Sequence, residues 1–86
     1  MFARGQAIML GVSGYKEKGL QKADLTWSGT TTANVDIFRN GVLVATTTDG
    51  GGAYTDNIDR KGGGSYTYEV CEAGTTTCSN EVTVSY

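Results

Sequence analysis

Residues 34–47 read NVDIFRNGVLVATT, and this stretch decides the fold. At its centre stands Asn40-Gly41. Both residues tolerate positive φ, so the pair closes a two-residue type I′ turn between two strands. The turn fixes a register: Arg39 opposite Val42, Phe38 opposite Leu43, Ile37 opposite Val44. Side chains alternate across a strand, so Val35, Ile37, Val42 and Val44 are expected on one face, the core face. Phe38 and Leu43 then form a cross-strand pair on the other face, a candidate surface for interaction.

The same period of two runs through the rest of the chain. Ile8, Leu10 and Val12 alternate with Ala7, Met9 and Gly11, which predicts a first strand. Gly14 and Gly19 bracket YKEK, expected to be a charged, exposed connection. Leu25 and Trp27 share parity and should point inward from a second strand, with Trp27 as a core anchor. Two glycine runs, at residues 50–52 and 62–64, flank a short strand around residues 53–58. Neither run carries the G-x-x-x-x-G-K-[ST] spacing or leads into a helical pattern, so both read as turns and not as phosphate cradles. Tyr66, Tyr68 and Val70 alternate inward on the next strand, and Val82 and Val84 on the last. About seven short strands at regular spacing predict an all-β, seven-stranded, two-sheet sandwich of the immunoglobulin or fibronectin type III kind. Tyr66, at the start of its strand after a long loop, is expected to form a tyrosine corner with backbone near Ile58 or Asp59.

Composition sets bounds on function. Eighty-six residues make one domain with a modest core. Thirteen glycines, no proline and many β-branched residues agree with strands and turns. The net charge is −2 with no basic cluster, so no nucleic-acid partner is expected, and no apolar run is long enough for a membrane span. Residues 1–6 read as a linker or remnant and residues 7–86 as the domain. The N-terminal apolar stretch is broken by Gly11 and lacks a cleavage-like site, so any export signal is expected elsewhere, in a larger precursor with Met1 added as a start.

Two cysteines, Cys71 and Cys78, stand seven positions apart. Zinc needs four ligands, and the chain has these two thiols and no histidine. A redox motif would place two residues between the cysteines. A staple needs only that the two flanking strands be hairpin neighbours, and Cys71 is expected to end one strand and Cys78 to begin the next. Closing this loop is worth about 2.5 kcal/mol on the chain-entropy model. A disulfide implies an oxidising compartment, hence an exported protein. Without histidine, Ser-His and Cys-His catalysis are excluded, and no cofactor is indicated. Asp56 and Asp59 could contribute weakly to a Ca²⁺ site, yet DNID lacks the dense alternating oxygens of a loop site. No metal is therefore expected.

Residues 53–86, AYTDNIDRKGGGSYTYEVCEAGTTTCSNEVTVSY, resemble a bacterial fibronectin type III-like domain. LTWSG at 25–29 and VDIFRNGVLVATT at 35–47 extend the resemblance to nearly the whole chain. More narrowly, GYKEKGLQKADLTWSGTTTANVDIFRNG at 14–41, with the C-x₆-C hairpin, looks like the C-terminal domain of secreted bacterial subtilisin-like serine proteases. The resemblance implies a secreted, non-catalytic, monomeric accessory domain. Its first partner would be the catalytic domain of the same precursor, and its second a protein or polysaccharide substrate. None of the protease's catalytic residues has a counterpart here. The alternative is a carbohydrate-binding or insoluble-substrate module, for which Tyr15, Phe38 and Tyr54 are the candidate exposed aromatics. Proline is missing where many such domains carry it, which leaves edge protection open.

Overall fold

The computed structural model describes residues 8–30, 33–48 and 52–86. Residues 1–7, and so the proposed linker at 1–6, lie outside the described residues. Seven strands run β1 (Met9–Glu17), β2 (Leu20–Ser28), β3 (Asn34–Arg39), β4 (Val42–Thr48), β5 (Ala53–Asn57), β6 (Ser65–Glu72) and β7 (Val82–Ser85). They form two antiparallel sheets, β1-β2-β5 and β4-β3-β6-β7. The all-β, two-sheet sandwich expected from the period of two is therefore the architecture.

The inner faces meet in one core. Leu10, Ala23, Leu25 and Trp27 come from the three-stranded sheet; Val35, Ile37, Tyr68 and Val70 come from the other. Fully burying one large apolar side chain contributes about 1.5–3 kcal/mol. Val44, Val82 and Val84, expected to be buried, are half-buried and pack against this core from its margins. β4 and β7 are edge strands, each hydrogen-bonded to a neighbouring strand on one side only.

Two hairpin turns share one geometry. Asn40 and Gly41 have φ of 54° and 80°, as the I′ turn requires. Arg39 pairs with Val42 and Phe38 with Leu43, as the turn dictates. Ile37, however, pairs with Ala45 and not with Val44, because a β-bulge intervenes and leaves Val44 as the extra residue. Val42 shares the inward side with Arg39 but lies on an edge strand beside the turn, and it is 63% exposed. Its expected place in the core is thus corrected. The YKEK connection is also corrected. β1 continues through Tyr15, Lys16 and Glu17, and the turn is Lys18-Gly19, with φ of 54° and 81°.

A glycine is required where Gly52 leads into β5. The Trp27 amide donates to the Gly52 carbonyl (2.8 Å), and a Cβ on Gly52, whose φ is 80°, would collide with the Trp27 carbonyl oxygen. Gly62 has a similar φ of 84° with open space around it. Gly62→Ala is expected to cost about 1–2 kcal/mol, the left-handed penalty alone. Gly52→Ala adds a backbone clash and is expected to cost distinctly more. Urea unfolding of the two variants measures the difference, and equal midpoints would remove the steric role of Gly52.

Candidate functional site

Asp56 is buried, and its position is set by β-pairing: it lies opposite Ala23 on β2 and faces into the sandwich. From the other sheet Arg39 and Tyr68 reach it as a cross-strand pair. Arg39 Nη1 donates to Asp56 Oδ2 at 2.5 Å, and the Tyr68 hydroxyl donates to the same oxygen at 2.6 Å. Burial, then the hydrogen bond and charge of Asp56, push the Tyr68 hydroxyl far above the ordinary tyrosine range. Burial works against the Arg39 charge, but the hydrogen bond and charge of Asp56 outweigh it and raise its pKa.

A second polar bridge sits beside the first. Gln21 is fully buried on β2; its amide Nε2 donates to the Gly62 carbonyl (2.9 Å) and its Oε1 accepts from the Tyr66 hydroxyl (2.7 Å). The Gln21 backbone bonds Arg60 and Asp59 on either side. The Tyr66 hydroxyl therefore ends on a side-chain amide and not on backbone near Ile58 or Asp59, which corrects the expected tyrosine corner. A buried glutamine already tied to the loop offers the nearer acceptor. Tyr86 completes the set, with its ring edge-on to Tyr66 and its hydroxyl donating to the Lys22 carbonyl (2.6 Å). Among the described residues no buried side-chain nitrogen or oxygen lacks a partner.

One member of each bridge, Arg39 and Tyr66, lines a groove of about 420 Å³. Val42, Val44 and Ile58 give it apolar walls, and Tyr66, Arg39, Asn40 and Arg60 supply the rest. The Arg39 guanidinium lies 5.9 Å from the Tyr66 ring centre, within cation–π range. Asn40 is fixed by its amide donating to the Thr67 carbonyl (2.8 Å) while its Oδ1 accepts from the Thr67 amide (2.9 Å). Arg60 is exposed and has no ion pair among the described residues.

The other candidates fall in separate places. Cys71 and Cys78 form a disulfide with Cα atoms 3.9 Å apart. Cys71 lies in β6 as expected, but Cys78 sits in an isolated bridge before β7 and does not open it. Phe38 and Leu43 pair on the outer face of the four-stranded sheet, Leu43 51% exposed and Phe38 half-buried. Tyr15 is on the outer face of the other sheet, its hydroxyl donating to Asp24 at 3.2 Å, whereas Tyr54 packs against the core. No coplanar row of Tyr15, Phe38 and Tyr54 forms. Asp56 is held by Arg39 and Tyr68, while Asp59 pairs with Lys22 at 2.7 Å, so each carboxylate already has a cation and they do not converge. Glu69, Cys71 and Cys78 are the one group at metal-like spacing among the described residues, and their two sulfurs are bonded to each other. Burial, with Glu81 second, raises the Glu69 pKa.

Sequence reasoning passed over Arg39, Arg60, Gln21 and the groove. Arg39 and Gln21 lie in positions whose parity places them inward, a polar residue on the core side of a strand, and that was the available signal. Comparison with known proteins gave no matching family model, no matching curated protein and no matching solved structure. Among the described residues no helix is long and apolar enough to cross a membrane.

Two outcomes follow from the Asp56 bridge. Asp56→Asn strips a counter-ion from Arg39 and is expected to destabilise by about 2–4 kcal/mol, whereas Asp59→Asn, at an exposed pair, moves the unfolding midpoint far less. Comparable losses would show the inter-sheet bridge to be unimportant. The second outcome concerns pH. Because the folded state holds Tyr68 neutral above its unfolded pKa of 10.0, its contribution is complete below that value and is lost as pH climbs beyond it. Tyr68→Phe should be less stable at neutral pH and show a shallower alkaline decline than wild type in thermal melts. Parallel declines would assign the alkaline loss to other groups.

Proposed function

We propose that this chain is a non-catalytic accessory domain of an exported bacterial hydrolase, a subtilisin-like serine protease foremost, where it supplies stability, spacing or substrate attachment. The observation that carries the proposal is the use made of the interior polar groups. Arg39, Asp56, Tyr68, Gln21 and Tyr66 bond one another across the sandwich, so they lock two sheets together in place of meeting a substrate. The three-plus-four division of strands fits a fibronectin type III-like domain, and the disulfide fits an oxidising compartment. The carbohydrate-module alternative draws no comparable support, since stacking on sugar rings needs aromatics on one plane, and Tyr15, Phe38 and Tyr54 occupy three different faces.

The purified chain is expected to leave peptide, ester and glycoside substrates intact, while its removal from the parent enzyme shortens the parent's half-life to heat or self-digestion. Turnover by the isolated chain that a single substitution abolishes would sink the proposal.

A further inference from the structure

Among the described residues β4 presents an edge whose one protective feature is the bulge at Val44. It pairs with β3 alone, and its seven residues VLVATTT contain no charge, proline or glycine. The opposite flank of the sandwich is shut. There Asn80 bonds both the amide and carbonyl of Leu10 (2.9 and 3.1 Å), Ile8 bridges Ser79, and β1 runs along β7. The fourth edge, β5, is shorter and carries Asp56. An open main-chain edge thus borders the groove, whose walls include Val42 and Val44 of the same strand.

Charge selects the occupant. Arg39 is matched by Asp56, which leaves Arg60 at the groove as a cation with no ion pair among the described residues. We infer that β4 is an acceptor strand for an extended peptide bearing an acidic residue, which adds to the sheet edge, seats an apolar side chain between Val42, Val44 and Ile58, and sets its carboxylate against Arg60. Main-chain hydrogen bonds supply affinity in such strand addition, and alternate side chains supply choice. Side chains of the opposite parity would cover Leu43, which accounts for that residue's exposure on the outer face. A second copy of the chain fits less well, because its own β4 carries no carboxylate to meet Arg60. The inference rests on the accessory-domain proposal and names one partner class for it, an acidic extended segment of protein.

The test titrates acetyl-Lys-Val-Thr-Glu-Thr-Val-amide, whose Val and Glu side chains share one strand face, and its Gln counterpart, into the full chain while backbone amide shifts are followed. Saturable shifts are expected along residues 42–48 and at Ile58 and Arg60, with the Glu peptide bound about three- to fivefold more tightly. Arg60→Gln, at an exposed side chain, is expected to erase that preference and leave the Gln peptide's affinity and the melting temperature unchanged. Equal binding of the two peptides by wild type, shifts confined to β1 or β7, or no shift at about 5 mM peptide would overturn it. Concentration-dependent broadening of β4 without peptide would also overturn it, by assigning the edge to a second copy. A peptide recovered intact but unbound defeats this inference alone; a cleaved peptide defeats the accessory proposal beneath it.

Discussion

One carboxylate oxygen takes two hydrogen bonds from the opposite sheet. Asp56 Oδ2, on the three-stranded side, accepts from both Arg39 and Tyr68 on the four-stranded side. A buried ion pair is an uncertain source of net stability, because desolvating both charges offsets much of their attraction. It is a strict source of position, however. Sliding one sheet by a residue would bury Asp56 unpaired, at a cost of several kcal/mol, so the bridge fixes how the sheets face each other. The apolar core excludes water, and this bridge sets the register in which it does so.

The end of the sandwich takes its shape from that constraint. Arg39 must lean inward to reach Asp56, and it does so one residue before the Asn40-Gly41 turn. Asn40 clamps the turn to β6 through Thr67, and Gln21 holds the Gly62 loop while accepting from Tyr66. Between these fixed points the hairpin tip, through Asn40 and Val42, and the β5–β6 connection, through Ile58 and Arg60, line the groove. Its apolar walls include Val42, beside the turn, and Val44, the extra residue of the bulge.

The two flanks differ for an equally local reason. The Asn80 amide presents a donor and an acceptor in the geometry of a peptide group, so it satisfies Leu10 as a neighbouring strand would. Among the described residues no such mimic faces β4. An edge that pairs on one side only can add a strand, and the threonine-rich sequence of β4 sets no charge or proline against it.

Much of the fold was legible in the chain itself. Alternation placed Leu25, Trp27, Val35, Ile37, Tyr68 and Val70 inside, Asn40-Gly41 set the hairpin, and the cysteine spacing gave the staple. These signals are local: each depends on neighbours within a strand or one turn. The bulge at Val44 and the Lys18-Gly19 turn were not legible, since lysine is an unusual occupant of positive φ and a bulge leaves the residue pattern almost unchanged. Nor was the candidate site. Arg39 and Asp56 are 17 positions apart, Gln21 and Tyr66 are 45 apart, and nothing in either neighbourhood names the other. Sequence periodicity determined which residues turn inward. Only the tertiary structure decided which polar ones would meet there, because buried donors and acceptors must find partners across the sandwich, and those partners exist only once the sheets have packed.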